Sequence, residues 1–424
     1  MDRKLLCQSM LISVKKCLES EDFLNEFREP NRFMRRRILS MENMVNFLIF
    51  HPKRTLDASW ESFRKKFKAQ IKLPLISKQA LSKARAGIKP ELFREFFTLT
   101  VTRYYGHTKR RKKWIERYHL FAIDGSDFEV PSSKGNFEEF GKNSDKKRPD
   151  LFWSMAKSSI LYDLSDDIIV DAIIDKQISH ERDLAMQHLA RLSDLGIQSD
   201  GVVIFDRGYY SSDMYAECHN TGCKCLMRLR KCMNFCKLPG NDIISKVIAP
   251  DGTKLPCRIL KVTLSTGETE YLITDIMDDD ITCDMFRDLY FERWNIESKY
   301  LELKEHSKIE EFTGKTPRAV RQDFYISMFL TNIAAIYKAA ADELIAANAK
   351  SKNRYKYQAK RTFIIGMVKE DVSEMLMTGI SLVKIEELIE SASKKKSQIK
   401  PGRSYPRRRN TRARKHYNNR KTTF

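Results

Sequence analysis

Apolar positions in the first 113 residues recur at helical spacing, as in residues 41–49 and 91–97, and no strand alternation interrupts them. That pattern predicts a small helical domain over 1–113. Within it Ser77 reads as the N-cap of a basic helix ending near Arg85, which Gly87 closes, with Pro90 starting the next helix. Short basic helices joined by tight turns suit DNA grooves, although a solvated surface face gives the same pattern. The period changes after Tyr118. Residues 119–123 form a compact apolar run ending at Asp124-Gly125, a strand entering a turn. Residues 151–162 and 168–174 read as a hairpin around a turn at 163–167. A helix over 180–195 follows, then a β-branched strand over 202–205 ending at Asp206-Arg207-Gly208, a helix near 211–218 and a strand over 225–229. This is an α/β order, compatible with a mixed sheet flanked by helices. Residues 231–281 break the rhythm with short β pieces, such as 258–264 and 269–273, between turns at Asp251-Gly252 and Thr266-Gly267. They predict a β-rich insertion, large enough for an inserted domain. One long helix is expected over 282–305 and another over 317–344, closing a core that spans 114–345; the region 346–393 is helical again.

Composition narrows the class. The 424 residues, 42% hydrophobic with 16 Gly and 12 Pro, are those of an ordinary folded protein of two or three domains. No apolar run is read as approaching the roughly 18 to 20 residues of a membrane helix, and the start lacks the apolar core of a signal peptide. The expectation is a soluble, cytoplasmic protein whose nine Cys are reduced. Charge points to a polyanionic partner: 77 Lys and Arg against 56 Asp and Glu leave +21. Residues 394–424 hold 13 Lys and Arg and no acid, so the first 393 residues carry +8. This tail lacks apolar periodicity and reads as a disordered basic arm. The basic run at 109–113 marks a plausible boundary between the first two domains.

Tyr290, Arg293, Glu297 and Lys304 fall within about 60° of one another if residues 282–305 form one continuous helix at about 100° per residue. A carboxylate flanked by Arg, Lys and a Tyr hydroxyl suits a metal held by the acid and phosphates held by the others, though a salt-bridged surface helix looks alike. Asp124 and Asp206 close two apolar strands; if those strands are neighbours, both carboxylates emerge at one sheet edge. Three carboxylates fit a hard divalent cation, Mg²⁺ or Mn²⁺, and two such ions serve an in-line displacement at phosphorus.

These residues resemble insertion-sequence transposases of the DDE type, in particular the IS-four-like group, whose signature is Tyr-x2-Arg-x3-Glu-x6-Lys. The chain carries it in full from Tyr290 to Lys304, and the likeness continues in Ile123-Asp124-Gly125-Ser126, Phe205-Asp206-Arg207-Gly208-Tyr209, His180-Glu181-Arg182 and the stretch from Thr316 to Asp323. The resemblance implies a ribonuclease-H-like catalytic core with a β-rich insertion at about 231–281, plus the helical N-terminal and C-terminal regions. It implies that Asp124, Asp206 and Glu297 bind two Mg²⁺ or Mn²⁺ ions, and that Tyr290, Arg293 and Lys304 grip element-end DNA. It further implies strand cleavage by water, joining by the freed 3′-hydroxyl, a homodimer on paired ends of double-stranded DNA, and a prokaryotic, nucleoid-associated setting. Some relatives hold a flipped base on an aromatic of the insertion; this insertion has no Trp, and Tyr271 and Phe235 are weak candidates. Two other functions share these features: a non-catalytic transposase-derived DNA-binding protein, and a nuclease that only hydrolyses. The Cys218–Cys236 cluster matches no paired zinc spacing, His180-Glu181-Arg182 is no zinc-protease motif, and Asp278-Asp279-Asp280 reads as a solvated turn.

Overall fold

A computed structural model describes residues 2–34, 39–51, 55–107, 113–145, 148–264, 267–349 and 354–399. Most of the basic run at 109–113, Thr266 and the tail from residue 400 onward lie outside the described residues. The chain opens with α1 (Arg3–Glu19), α2 (Glu21–Glu26), α3 (Met41–Phe50), α4 (Leu56–Lys66), α5 (Lys78–Ala86) and α6 (Glu91–His107). Next come β1 (His119–Val130), α7 (Lys134–Phe140), β2 (Asn143–Asp145), β3 (Arg148–Asp163), β4 (Ile168–Lys176) and α8 (Glu181–Asp194). Then follow β5 (Gly201–Phe205), α9 (Ser212–Thr221), β6 (Lys224–Arg228), β7 (Asp242–Ile248), β8 (Lys254–Thr263) and β9 (Thr269–Thr274). The last elements are α10 (Cys283–Phe291), α11 (Trp294–Glu305), α12 (Pro317–Ala347), β10 (Tyr357–Ala359), α13 (Arg361–Thr378), α14 (Leu382–Lys394) and β11 (Lys396–Gln398).

Two compact units emerge, and they cut across the linear boundaries expected above. One comprises residues 1–107, 128–156 and 303–424; the other comprises 108–127 and 157–302. The first 107 residues therefore share a unit with the C-terminal helices.

The sheet-bearing unit is organised around the order β4-β3-β1-β5-β6-β9-β8-β7. β1, β5 and β6 run parallel, and β6, β9, β8 and β7 continue antiparallel. β5 is buried throughout, which is why Gly-Val-Val-Ile-Phe reads as an unbroken apolar run: a central parallel strand is covered on both faces. Gly201 opens it because a Cβ there would stand 3.1 Å from the Phe121 ring. The strands of segment 231–281 extend the central sheet beyond β6. The reason is a shared core, in which Leu226, Leu260 and Leu272 of three successive strands bury one continuous surface with Phe286, Leu289 and Tyr290 of α10. β7 escaped the sequence reading because its Ile244 and Ile248 face solvent. The helix expected over 282–305 is broken at Glu292-Arg293, where the N–H groups of Glu292, Arg293, Asn295 and Ile296 each bond three residues back. The continuous 100° spacing therefore fails across the break.

In the helical unit, α12 is the core element. It is long and apolar enough to cross a membrane, with mean hydropathy 1.2 over 18 residues, contrary to the sequence expectation; 83% of that window is buried within the fold. Thr316 caps it and Pro317 occupies its first turn, where a missing N–H costs nothing. Part of the expected disordered tail is ordered: Lys394 ends α14, and β11 pairs antiparallel with β10.

Candidate active site

The parallel register of β1 and β5 sets two carboxylates side by side. The last paired residues are Ala122 and Ile204, and Asp124 and Asp206 each stand two positions further on. β1 continues to Val130, so Asp124 does not end its strand; it ends the part paired with β5. Gly125 admits a close neighbour: a Cβ there would meet the Glu181 carboxylate at 3.1 Å. Glu181 is held by Lys157 at 3.3 Å, and Lys157 also pairs with Asp127 at 3.1 Å.

Glu297 joins the pair through Arg293. The guanidinium of Arg293, 3% exposed, donates to Glu297 Oε1 at 2.8 Å and lies 3.8 Å from Asp124 Oδ2. The i,i+4 spacing within the start of α11 makes the first contact local. Tyr290, buried on α10, donates its hydroxyl to Asp206 Oδ1 at 3.0 Å, and Arg228 lies 3.8 Å from the same oxygen. The structure thus brings Asp124, Asp206, Glu297, Tyr290 and Arg293 together. Lys304 belongs to the helical unit, where its ammonium lies 5.0 Å from the centre of the Phe128 ring.

Burial pushes the Asp124 carboxyl up to about 6, and the neighbouring Glu297 and Asp206 charges push the same way, against the Gly125 N–H and Arg293. Asp206 is also desolvated, yet the Arg207 N–H, Arg293, the Tyr290 hydroxyl and Arg228 hold it below the ordinary range. Arg293 is buried but kept protonated by the surrounding Tyr290, Asp206 and Glu297. Its Nε is buried without a hydrogen-bond partner among the described residues. Two arginines, Arg293 and Arg228, therefore stand beside the three acids, and Arg293 keeps a donor to spare.

Sequence reasoning missed two groups. Tyr300 donates to the Asp124 carbonyl at 2.9 Å; its position three residues after Glu297, on the same helix, was the available signal. His119, Asp163 and Asp166 place their potential ligand atoms within 4.8 Å of one another. His119 Nε2 and Asp163 Oδ2 are 2.6 Å apart, and Asp163 Oδ1 accepts from the Ser165 and Asp166 N–H groups. Those bonds account for the group as the closure of the β3–β4 turn. It lies five residues before Asp124 on β1, about 16 Å at the usual strand rise. Cys218, Cys223, Cys225 and Cys236 carry free, buried thiols.

Comparison with known proteins follows this geometry. A profile of the family described as "Transposase DDE domain" matches residues 116–333, about half of the chain. The transposase InsG for insertion sequence element IS4 of Escherichia coli (strain K12) is 24% identical over 335 residues, covering 74% of this chain and 72% of its own length. A cryo-EM structure of the piggyBac transposase synaptic complex with hairpin DNA aligns over 95% of this chain and 87% of that one, with a TM-score of 0.49 and 10% identity. The chain belongs to the DDE transposase family, in its IS4-like group.

Proposed function

We propose that the protein cuts DNA at the ends of an insertion sequence and joins those ends to target DNA, with Asp124, Asp206 and Glu297 as its catalytic acids. The observation that carries this reading is the register of β1 and β5, which sets Asp124 and Asp206 at equivalent positions past their last paired residues, with Glu297 tied to Asp124 through Arg293. A parallel β1-β5-β6 core flanked by the β3 and β4 pair supports a ribonuclease-H-like fold.

The donor set fits a hard cation: three carboxylates, no required sulfur or imidazole, and an Asp124 carboxyl raised by burial and by the neighbouring Glu297 and Asp206 charges. Asp124, Asp206 and Glu297 would hold Mg²⁺ or Mn²⁺, two ions in the full site. When bound, such ions supply activation of the attacking oxygen and charge stabilisation at the leaving oxygen. Tyr290 keeps the Asp206 carboxylate in place through its hydroxyl, and Tyr300 anchors the Asp124 backbone. Arg293, which holds Glu297, is one DNA-gripping residue at the element end, and Lys304 is a second. The partner is double-stranded DNA, bound by a homodimer on paired ends in a bacterial, nucleoid-associated setting.

The test is a cleavage and joining assay on labelled DNA carrying the source element's ends, with Mg²⁺ or Mn²⁺, beside Glu297→Ala. Cleavage and joining that vanish in the variant support the transposase reading. Cleavage without joining would favour a hydrolytic nuclease, and binding without strand breakage a non-catalytic DNA-binding protein.

A further inference from the structure

The helical unit contains a cavity of about 430 Å³ whose lining includes Lys78, Arg85, Lys315 and Arg318 and no acidic residue. Three helices begin on it. Leu56 is the first residue of α4, Lys78 the first of α5, and Lys315 precedes the cap of α12. Helix starts present backbone N–H groups and a partial positive charge, so their field adds to that of the lysines and arginines.

The four cations divide into two pairs. Arg85, 5% exposed, donates to Gln322, Thr313, the Ala319 carbonyl and Asp323, all within 3.0 Å. Arg318 pairs with Glu29 at 2.6 Å and donates to the Ala86 carbonyl. These two build the floor and tie α5 to α12. Lys78 and Lys315 are exposed and form no salt bridge among the described residues, although Lys78 lies near enough to Asp57 in the first turn of α4 to help lower that carboxyl. A structural network would need only the first pair; the second stands exposed at the rim of a preformed hollow.

We propose that this cavity is a second DNA contact, separate from the acid site, that takes a backbone phosphate of duplex DNA between Lys78 and Lys315. It gives work to two features that the acid site leaves unused: the basic helix closed by Gly87, and the stretch from Thr316 to Asp323. The proposal rests on the transposase reading, which supplies the polyanion. Contacts of this kind position a duplex without reading its sequence.

The experiment is fluorescence anisotropy of the full chain with a labelled duplex, from roughly 50 to 200 mM salt. Each phosphate contact contributes a slope of about 0.9 to log K against log salt, so Lys78→Ala/Lys315→Ala, which removes the one shared phosphate contact, should flatten the slope by about 0.9. Its melting temperature should match the parent's, because both side chains are exposed. A control, Lys246→Ala/Lys254→Ala on β7 and β8, removes equal charge and should leave the slope unchanged. An unaltered slope in the first variant, or an equal loss in the control, overturns the cavity contact while leaving cleavage by the parent intact. A parent that binds no duplex overturns the contact together with the reading beneath it. Inorganic phosphate at matched ionic strength should weaken duplex binding by the parent more than by Lys78→Ala/Lys315→Ala; equal weakening in both overturns the contact.

Discussion

Arg293 and Arg85 are both nearly buried, at 3% and 5% exposed, and both lie against carboxylates, yet their surroundings differ in kind. Arg85 has one acid, Asp323, and donates in four directions; Asp323 in turn accepts from the Thr313 N–H and hydroxyl. Arg293 stands among three acids, hydrogen-bonds one of them, and keeps a buried Nε without a partner. The first arrangement is saturated and serves architecture. The second is desolvated and leaves a buried donor unused, the kind of perturbed, incompletely paired cluster that marks a candidate functional site. Burial of an arginine therefore says little about role until its partners are counted.

The largest effect should come from breaking the saturated side. Arg85→Ala leaves Asp323 buried without its counter-charge, and such losses cost about 3–5 kcal/mol. Denaturant unfolding should show that drop, and added Mg²⁺ should not recover it. A loss under 1 kcal/mol would mean that water replaces the guanidinium, and the floor of the basic cavity would no longer count as rigid.

The acid site should respond with the opposite sign. Asp124 titrates at about 6 in the folded protein against about 3.8 unfolded. The folded state holds that proton more tightly, so its contribution is fully present below pH 3.8 and is lost as pH rises through 6. The difference amounts to roughly 3 kcal/mol at most, before relaxation reduces it. In chelator, Asp124→Asn should therefore be more stable than the parent at pH 7, with a flatter stability profile between pH 4 and 6. Mg²⁺ or Mn²⁺ should stabilise the parent and not the variant. A parent profile without that slope would show that Arg293 already compensates the acids.

What the sequence made legible follows from the same contrast. Asp124 and Asp206 were visible because the paired part of each parallel strand is an unbroken apolar run, and the acid that follows it interrupts the pattern sharply. Glu297 was visible through its local spacing from Arg293. The break at Glu292-Arg293 was not, since neither Gly nor Pro marks it and the bonds that tighten there are ordinary backbone bonds. The role of Arg85 was hidden for a different reason. In Lys83-Ala84-Arg85-Ala86-Gly87 it looks like one more solvated charge, and the partners that bury it lie more than 200 residues away. The union of β7, β8 and β9 with the main sheet was equally out of reach, because strand pairing is a long-range fact that no local pattern contains.

The smallest change tests how stiff the saturated side is. Gly314 lies between Thr313, which Asp323 holds by its N–H and hydroxyl, and the start of α12. A Cβ built on Gly314 would fall 2.3 Å from the Ala319 Cβ and 3.1 Å from Arg85 Nη1. Ala319 cannot retreat without moving the first turn of α12, and Arg85 cannot swing without abandoning Asp323. Gly314→Ala should therefore cost about 1–3 kcal/mol, as overpacking does in well-filled interiors, and the loss should appear as a lower melting temperature. Gly125→Ala is the matching change at the acid site, where the obstructing atoms belong to the end of the Glu181 side chain, 42% exposed and able to turn away. It should cost less than Gly314→Ala. If the two substitutions cost the same, the saturated network is no stiffer than the open one, and the distinction between the two arginines loses its mechanical basis.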